Sequence, residues 1–67
     1  MYIINRDKLY KLKGKDSTYQ MAKKVGIEVK MLQSILAGKN KMMASQSLLK
    51  ICDYYGIVDV RMILIKI

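Results

Sequence analysis

The sequence predicts an all-α fold: four to five short helices, followed by a short apolar tail that is extended at its end. Three observations predict it. Glycines fall at positions 14, 26, 38 and 56, and each closes a stretch of helical periodicity, where a left-handed terminating residue belongs. Within those stretches, apolar residues recur at i, i+3 and i+4. No proline interrupts any of them.

The first helix is expected over Asn5 to Leu12, with Leu9 and Leu12 three apart and Ile4 and Tyr10 extending their face. Met1 to Ile4 reads as an arm or extended lead-in. The second helix runs from about Thr18 to Val25. Ser17, followed three residues later by Gln20, forms a capping box, and Met21, Ala22 and Val25 make the buried stripe. The third runs from about Val29 to Ala37 on Leu32, Ile35 and Leu36. The fourth runs from Ser45 or Ser47 to Tyr55 on Leu48, Ile51, Cys52 and Tyr55, with serine as its cap. The five tyrosines are expected to be mostly core or half-buried.

The tail, residues 58–67, behaves differently. Val58, Val60, Met62 and Leu64 alternate with Asp59, Arg61 and Ile63, a period of two rich in β-branched residues. It is either a strand or a short fifth helix after Asp59 that frays into extended chain, and extended structure is preferred for the last residues. Its apolar groups are too many for a solvated end, so Val60, Met62, Leu64 and Ile65 are expected at a dimer contact.

The totals narrow the function. At 67 residues the chain is expected to form one domain, 1–67, and folding buries only roughly 60% of the unfolded surface at this size. The single cysteine, Cys52, forms no internal disulfide, and without histidine it makes no zinc site. Stability must therefore come from packed helices or from a second subunit. The lone thiol, the lack of a basic-then-apolar leader and the lack of a run of ~20 apolar residues lead us to expect a cytoplasmic protein. With no histidine and five scattered acids, nothing resembles a nucleophile–base pair or metal cluster, so neither enzyme, cofactor nor small-molecule ligand is expected. Thirteen Lys and Arg against five Asp and Glu give a net charge of +8. Such an excess points to a polyanion, nucleic acid before anionic membrane. The lysines are spread round the chain rather than along one face of a long amphipathic helix, which disfavours the membrane.

The chemistry-bearing stretch is "TYQMAKKVGIEVKMLQSILAGK", residues 18–39. Two short helices joined by a glycine turn make a helix-turn-helix, whose second helix can enter the major groove of B-DNA. Ala22 must be small where the helices cross, Gly26 must adopt a positive φ, and Ile27 and Leu32 must be apolar to pin the second helix at its angle. Ala22, Gly26 and Leu32, then "ILAGK" from Ile35 and "SLLKICDYYGI" from Ser47, resemble the lambda-repressor-like DNA-binding domain of the Cro/repressor, or xenobiotic-response-element-type, family. The resemblance covers about Leu9 to Ile57, with the motif proper at about 18–37.

That resemblance implies base contacts from Val29, Lys30, Gln33 and Ser34 at the start of the second motif helix. Lys30 would donate to guanine O6 and N7, Gln33 would pair with adenine, and Val29 would touch a thymine methyl. It implies phosphate contacts from Thr18, from Tyr19 beside it, and from Lys39, Asn40 and Lys41 after the recognition helix. Lys23 and Lys24 read as a solvated face. Three departures stand out. Glu28 occupies a cap position where the family often has serine or threonine, and its charge would face phosphates. "KGKDS" is short, and Thr18 replaces a common glutamine. Leu36 stands where some members carry an acid that pairs with a first-helix arginine, so that ion pair is expected to be absent.

The expected function is a sequence-specific double-stranded DNA-binding regulator: a small Cro-like repressor from a phage or mobile element, acting as a homodimer on a near-palindromic operator in a bacterial cytoplasm. The alternative is a protein-interaction module of the same fold, such as an antitoxin or anti-repressor. Salt dependence separates the two, because DNA binding weakens steeply with ionic strength.

Overall fold

A computed structural model describes residues 2–67. The order is β1 (Tyr2–Ile4), α1 (Arg6–Lys13), α2 (Thr18–Val25), α3 (Val29–Leu36), α4 (Ser45–Tyr55), a 3-10 turn (Val60–Ile63) and β2 (Leu64–Lys66). The Cα radius of gyration is 10.7 Å. Roughly 11 Å is expected of a compact chain of this length, so the short helices close on one core.

Side-chain caps start two of the four α-helices. Asn5 accepts from the Lys8 N–H and caps α1. The Ser17–Gln20 capping box is complete: the Gln20 N–H donates to Ser17 Oγ at 3.1 Å and the Ser17 N–H to Gln20 Oε1 at 2.9 Å. The largest fully buried side chains are Leu9, Met21, Leu32, Ile35, Ile51 and Ile63, so every helix and the 3-10 turn contributes to the centre. Among the described residues no polar or charged residue is buried with them. Cys52 is buried as a small apolar group, and burial pushes its thiol pKa up.

The lead-in and the tail pair with each other. β1 and β2 form a two-stranded antiparallel ribbon with Ile3 opposite Ile65 and Ile4 opposite Leu64. Opposed residues share a face. Ile4 and Leu64 therefore turn to the core, while Ile65 on the other face is exposed. The ribbon is tied down by the Ile4 N–H on Lys41 O, 2.7 Å, and the Asn5 N–H on Ile63 O, 2.9 Å. Met1, the first residue of the expected arm, lies outside the described residues.

Several expectations are corrected. No serine side chain caps α4; the N-cap is Ala44, whose carbonyl accepts from Ser47 and Leu48 N–H, and the Ser47 hydroxyl donates instead to Met31 Sδ at 3.8 Å. Of the two alternatives for the tail, the short helix after Asp59 with an extended end is the one found, not a strand through Met62. Asp59 accepts from Arg61 N–H and starts a 3-10 turn, which sends Ile63 inward and leaves Met62 in solvent. Extended chain begins only at Leu64. Of the four residues expected at a dimer contact, Val60 and Leu64 pack against the core, and Met62 and Ile65 are exposed. Four tyrosines (Tyr2, Tyr10, Tyr19 and Tyr54) are exposed and only Tyr55 is half-buried. All four glycines have positive φ, but Gly14, at φ 57 and ψ −125, is not left-handed helical.

Candidate nucleic-acid interface

The interface is built on the turn between α2 and α3. Gly26 ends α2 at φ 88 and ψ 36, and its N–H donates to Ala22 O at 2.8 Å; the Ile27 N–H shares that carbonyl at 3.0 Å. A Cβ at Gly26 would meet nothing within 4 Å, so backbone conformation, not space, demands glycine here. Lys50 reaches across from α4 and donates to Gly26 O at 3.2 Å. Ala22 on α2 and Leu32 on α3 are fully buried.

Burying Leu32, Ile35 and Leu36 leaves the opposite face of α3 outward. On that face Lys30, Gln33, Ser34 and Ala37, with Lys39 from the following loop, line an open concavity of about 410 Å³. Three of the four expected base-contacting residues are thus brought together with one expected phosphate contact. Val29 is not among them. It is half-buried against the core, because the first turn of α3 also covers the α2–α3 seam. Thr18 opens α2 half-buried, and Tyr19 beside it is exposed, with Lys23 Nζ 5.4 Å from its ring centroid. Asn40 and Lys41 are exposed.

Charge on this surface is little compensated. Of thirteen lysines and arginines, only Lys24, with Asp16, and Arg61, with Asp59, pair with a carboxylate among the described residues. Each pair is 2.9 Å apart, and Asp16 raises the Lys24 pKa above the usual lysine value, chiefly through their hydrogen bond. Glu28 sits at the N-cap of α3 but makes no capping hydrogen bond with its side chain, so its charge remains at the surface.

The end of α3 is held by Arg6, which no sequence pattern marks, and by Tyr10, expected only to extend the apolar face of the first helix. Arg6 donates to Leu36 O from Nε at 3.2 Å and from Nη2 at 2.9 Å, and the Tyr10 hydroxyl donates to the same oxygen at 3.0 Å. Leu36 offers no acid to pair with, and the first-helix arginine takes its backbone carbonyl instead. Past it, Ser34 O accepts the N–H groups of Lys39 and Asn40, at 2.9 and 3.3 Å. The loop expected to meet phosphate is therefore fastened to α3 at one end and, through Lys41 O, to β1 at the other. No residue type could have revealed a partnership whose acceptor is main chain.

Among the described residues no helix is long and apolar enough to cross a membrane, and no group of His, Cys, Asp or Glu is placed to hold a metal ion. Comparison with curated proteins and with solved structures gave no match. The family model of the Cro/C1-type HTH DNA-binding domain matches residues 4–58, from the last residue of β1 to the turn beyond α4. The chain belongs to the Cro/C1-type helix-turn-helix DNA-binding domains.

Proposed function

We propose that this DNA-binding chain is a sequence-specific transcriptional regulator, a Cro-like repressor of phage or mobile-element type that works as a homodimer in a bacterial cytoplasm. The observation that carries the reading is the concavity on α3, where Lys30, Gln33 and Ser34 converge beside Lys39. Lys30 and Gln33 make no side-chain hydrogen bond within the described chain. Their donors and acceptors are open to base edges, Lys30 to guanine and Gln33 to adenine. Thr18, Tyr19, Lys39, Asn40 and Lys41 take the flanking phosphates and supply most of the affinity.

A second copy is favoured by the ribbon. One edge of β1 takes β2 and the other meets Lys41 O, whereas beyond β1 the only backbone bond to β2 among the described residues is that of the Leu64 N–H to Arg61 O. An open edge with exposed Met62, Ile65 and Ile67 around it suits pairing with an identical strand about a two-fold axis. Two recognition helices would then stand about 34 Å apart on a near-palindromic operator.

The test is fluorescence anisotropy of labelled duplexes at two salt concentrations, with sedimentation of the same sample, followed by selection from a random duplex library. A dimer whose binding weakens steeply with salt and which enriches a palindromic site is the expected result. A monomer that enriches no site overturns the regulator reading. The exposed apolar ribbon also favours one alternative, a module whose principal partner is another protein, and loss of salt-dependent DNA binding would point there.

A further inference from the structure

We propose that Arg6 is an additional DNA-backbone contact, its guanidinium held by the terminal carbonyl of α3 so that its remaining nitrogen is presented to a phosphate beside Gly38. The inference rests on the chain binding DNA through α3. Two of the three guanidinium nitrogens, Nε and Nη2, are engaged by Leu36 O. The third, Nη1, makes no hydrogen bond among the described residues and lies against Gly38, where a Cβ would stand only 2.9 Å from it. Gly38 is flanked by Ala37 and Lys39, both of which line the concavity on α3. Arg6 is exposed, so Nη1 sits at the rim of the surface already assigned to DNA.

The charge decides between a structural staple and a ligand contact. A carbonyl oxygen has two lone pairs, and here three donors converge on it. That satisfies hydrogen bonds but leaves the full positive charge of Arg6 uncompensated, since no carboxylate pairs with it. A staple needs no net charge, and Tyr10 already performs the task with a neutral hydroxyl. A guanidinium whose plane is fixed before binding loses little freedom when it meets a phosphate, and a charge-assisted bond there is stronger than a neutral one. The absent side chain at Gly38 opens the approach: any larger residue would occupy the space Nη1 now fills.

Salt titration of the full chain on random-sequence duplex DNA tests this, comparing wild type with Arg6→Gln and Tyr10→Phe. Arg6→Gln keeps a donor for Leu36 O and removes the charge, so the slope of log K against log salt should shrink by about 0.9, the increment for one phosphate. Tyr10→Phe removes a donor and keeps the charge, so its slope should equal that of wild type even if its melting point falls. An unchanged slope in a folded Arg6→Gln protein overturns the assignment and leaves Arg6 a staple. If Arg6→Gln does not fold, the guanidinium N–H resonances of Arg6 in the wild type answer instead: a shift on adding duplex supports the contact, and no shift overturns it. A wild type with no salt-dependent DNA binding overturns both this proposal and the reading beneath it.

Discussion

The two ends of α3 are built on opposite plans. At its start, Glu28 supplies only backbone, and the side chains of Lys30 and Gln33 bond to nothing in the described chain. At its end, Arg6 and Tyr10 converge on Leu36 O, Lys39 and Asn40 bond back to Ser34 O, and Ile4 holds Lys41 O. The difference teaches how a helix of eight residues can be both rigid and available. The polar groups proposed to meet a base are left free, so that binding would break no internal bond. Polar groups at the far end are occupied in fixing the angle and the loop. A helix fastened at both ends would have fewer groups left to read with, and one fastened at neither would not hold its register.

The largest effect should come from Leu32→Ala, which empties the core beneath both ends at once. It should cost about 3 kcal/mol by urea denaturation, a large share of the stability of so small a chain. A cost near zero would mean that α3 is not seated as described. Next comes Gly38→Ala, at about 2 kcal/mol, against about 1 kcal/mol for Gly26→Ala. Both glycines have positive φ, but only at Gly38 does the new methyl meet a neighbour, Arg6. Equal costs would remove the steric half of the comparison.

At the reading end, Lys30→Ala or Gln33→Ala should relax discrimination among operator variants by about 1–3 kcal/mol and leave the urea midpoint unchanged. Lys39→Ala should weaken binding to all sequences alike. If the three variants behave identically in a competition assay, the division of roles fails. Glu28→Ser gives α3 the side-chain cap it lacks and should add about 0.5–1 kcal/mol to stability, while removing a negative charge near the phosphates. A Glu28→Ser protein no more stable than wild type would argue that the cap position is already satisfied by water. The smallest effect concerns pH. Hydrogen bonds from Arg61 lower the Asp59 pKa, so their contribution is present above the ordinary carboxylate range and is lost as pH falls through the folded-state value. In acid thermal scans, Asp59→Asn should flatten that shallow limb; an unchanged limb would assign it to other carboxylates.

The helix pair was legible because its determinants are local. Ser17, Gln20, Ala22, Gly26 and Leu32 lie within sixteen residues, and each acts through a cap, a turn or a helical period that the sequence displays. The concavity followed from the same period: once Leu32, Ile35 and Leu36 face inward, Lys30 and Gln33 must face out. What stayed hidden is non-local or carried by main chain. The ribbon joins Tyr2 to Lys66, and nothing in either triplet names the other. Arg6 finds its partner thirty residues away in a carbonyl that every residue possesses. The alternation from Val58 to Leu64 left strand and short helix open, because a period of two does not register the 3-10 turn that places Ile63 and Leu64 where a continuous strand would not. Ser45 and Ser47 misled because Ala44 had already supplied the first accepting carbonyl.

The ribbon also bears on the order in which the molecule assembles. Closing a loop of about sixty residues costs roughly 2 kcal/mol more entropy than closing a four-residue turn, so the Ile4–Leu64 contact forms after the helix pair. On the ribosome, Tyr2–Ile4 leaves the tunnel long before its partner strand does. Until then the strand that holds Lys41 O through the Ile4 N–H has no partner strand beside it, and the loop after α3 is settled only at its α3 end. Residues 64–66 thus complete a ribbon whose other contacts were all translated earlier.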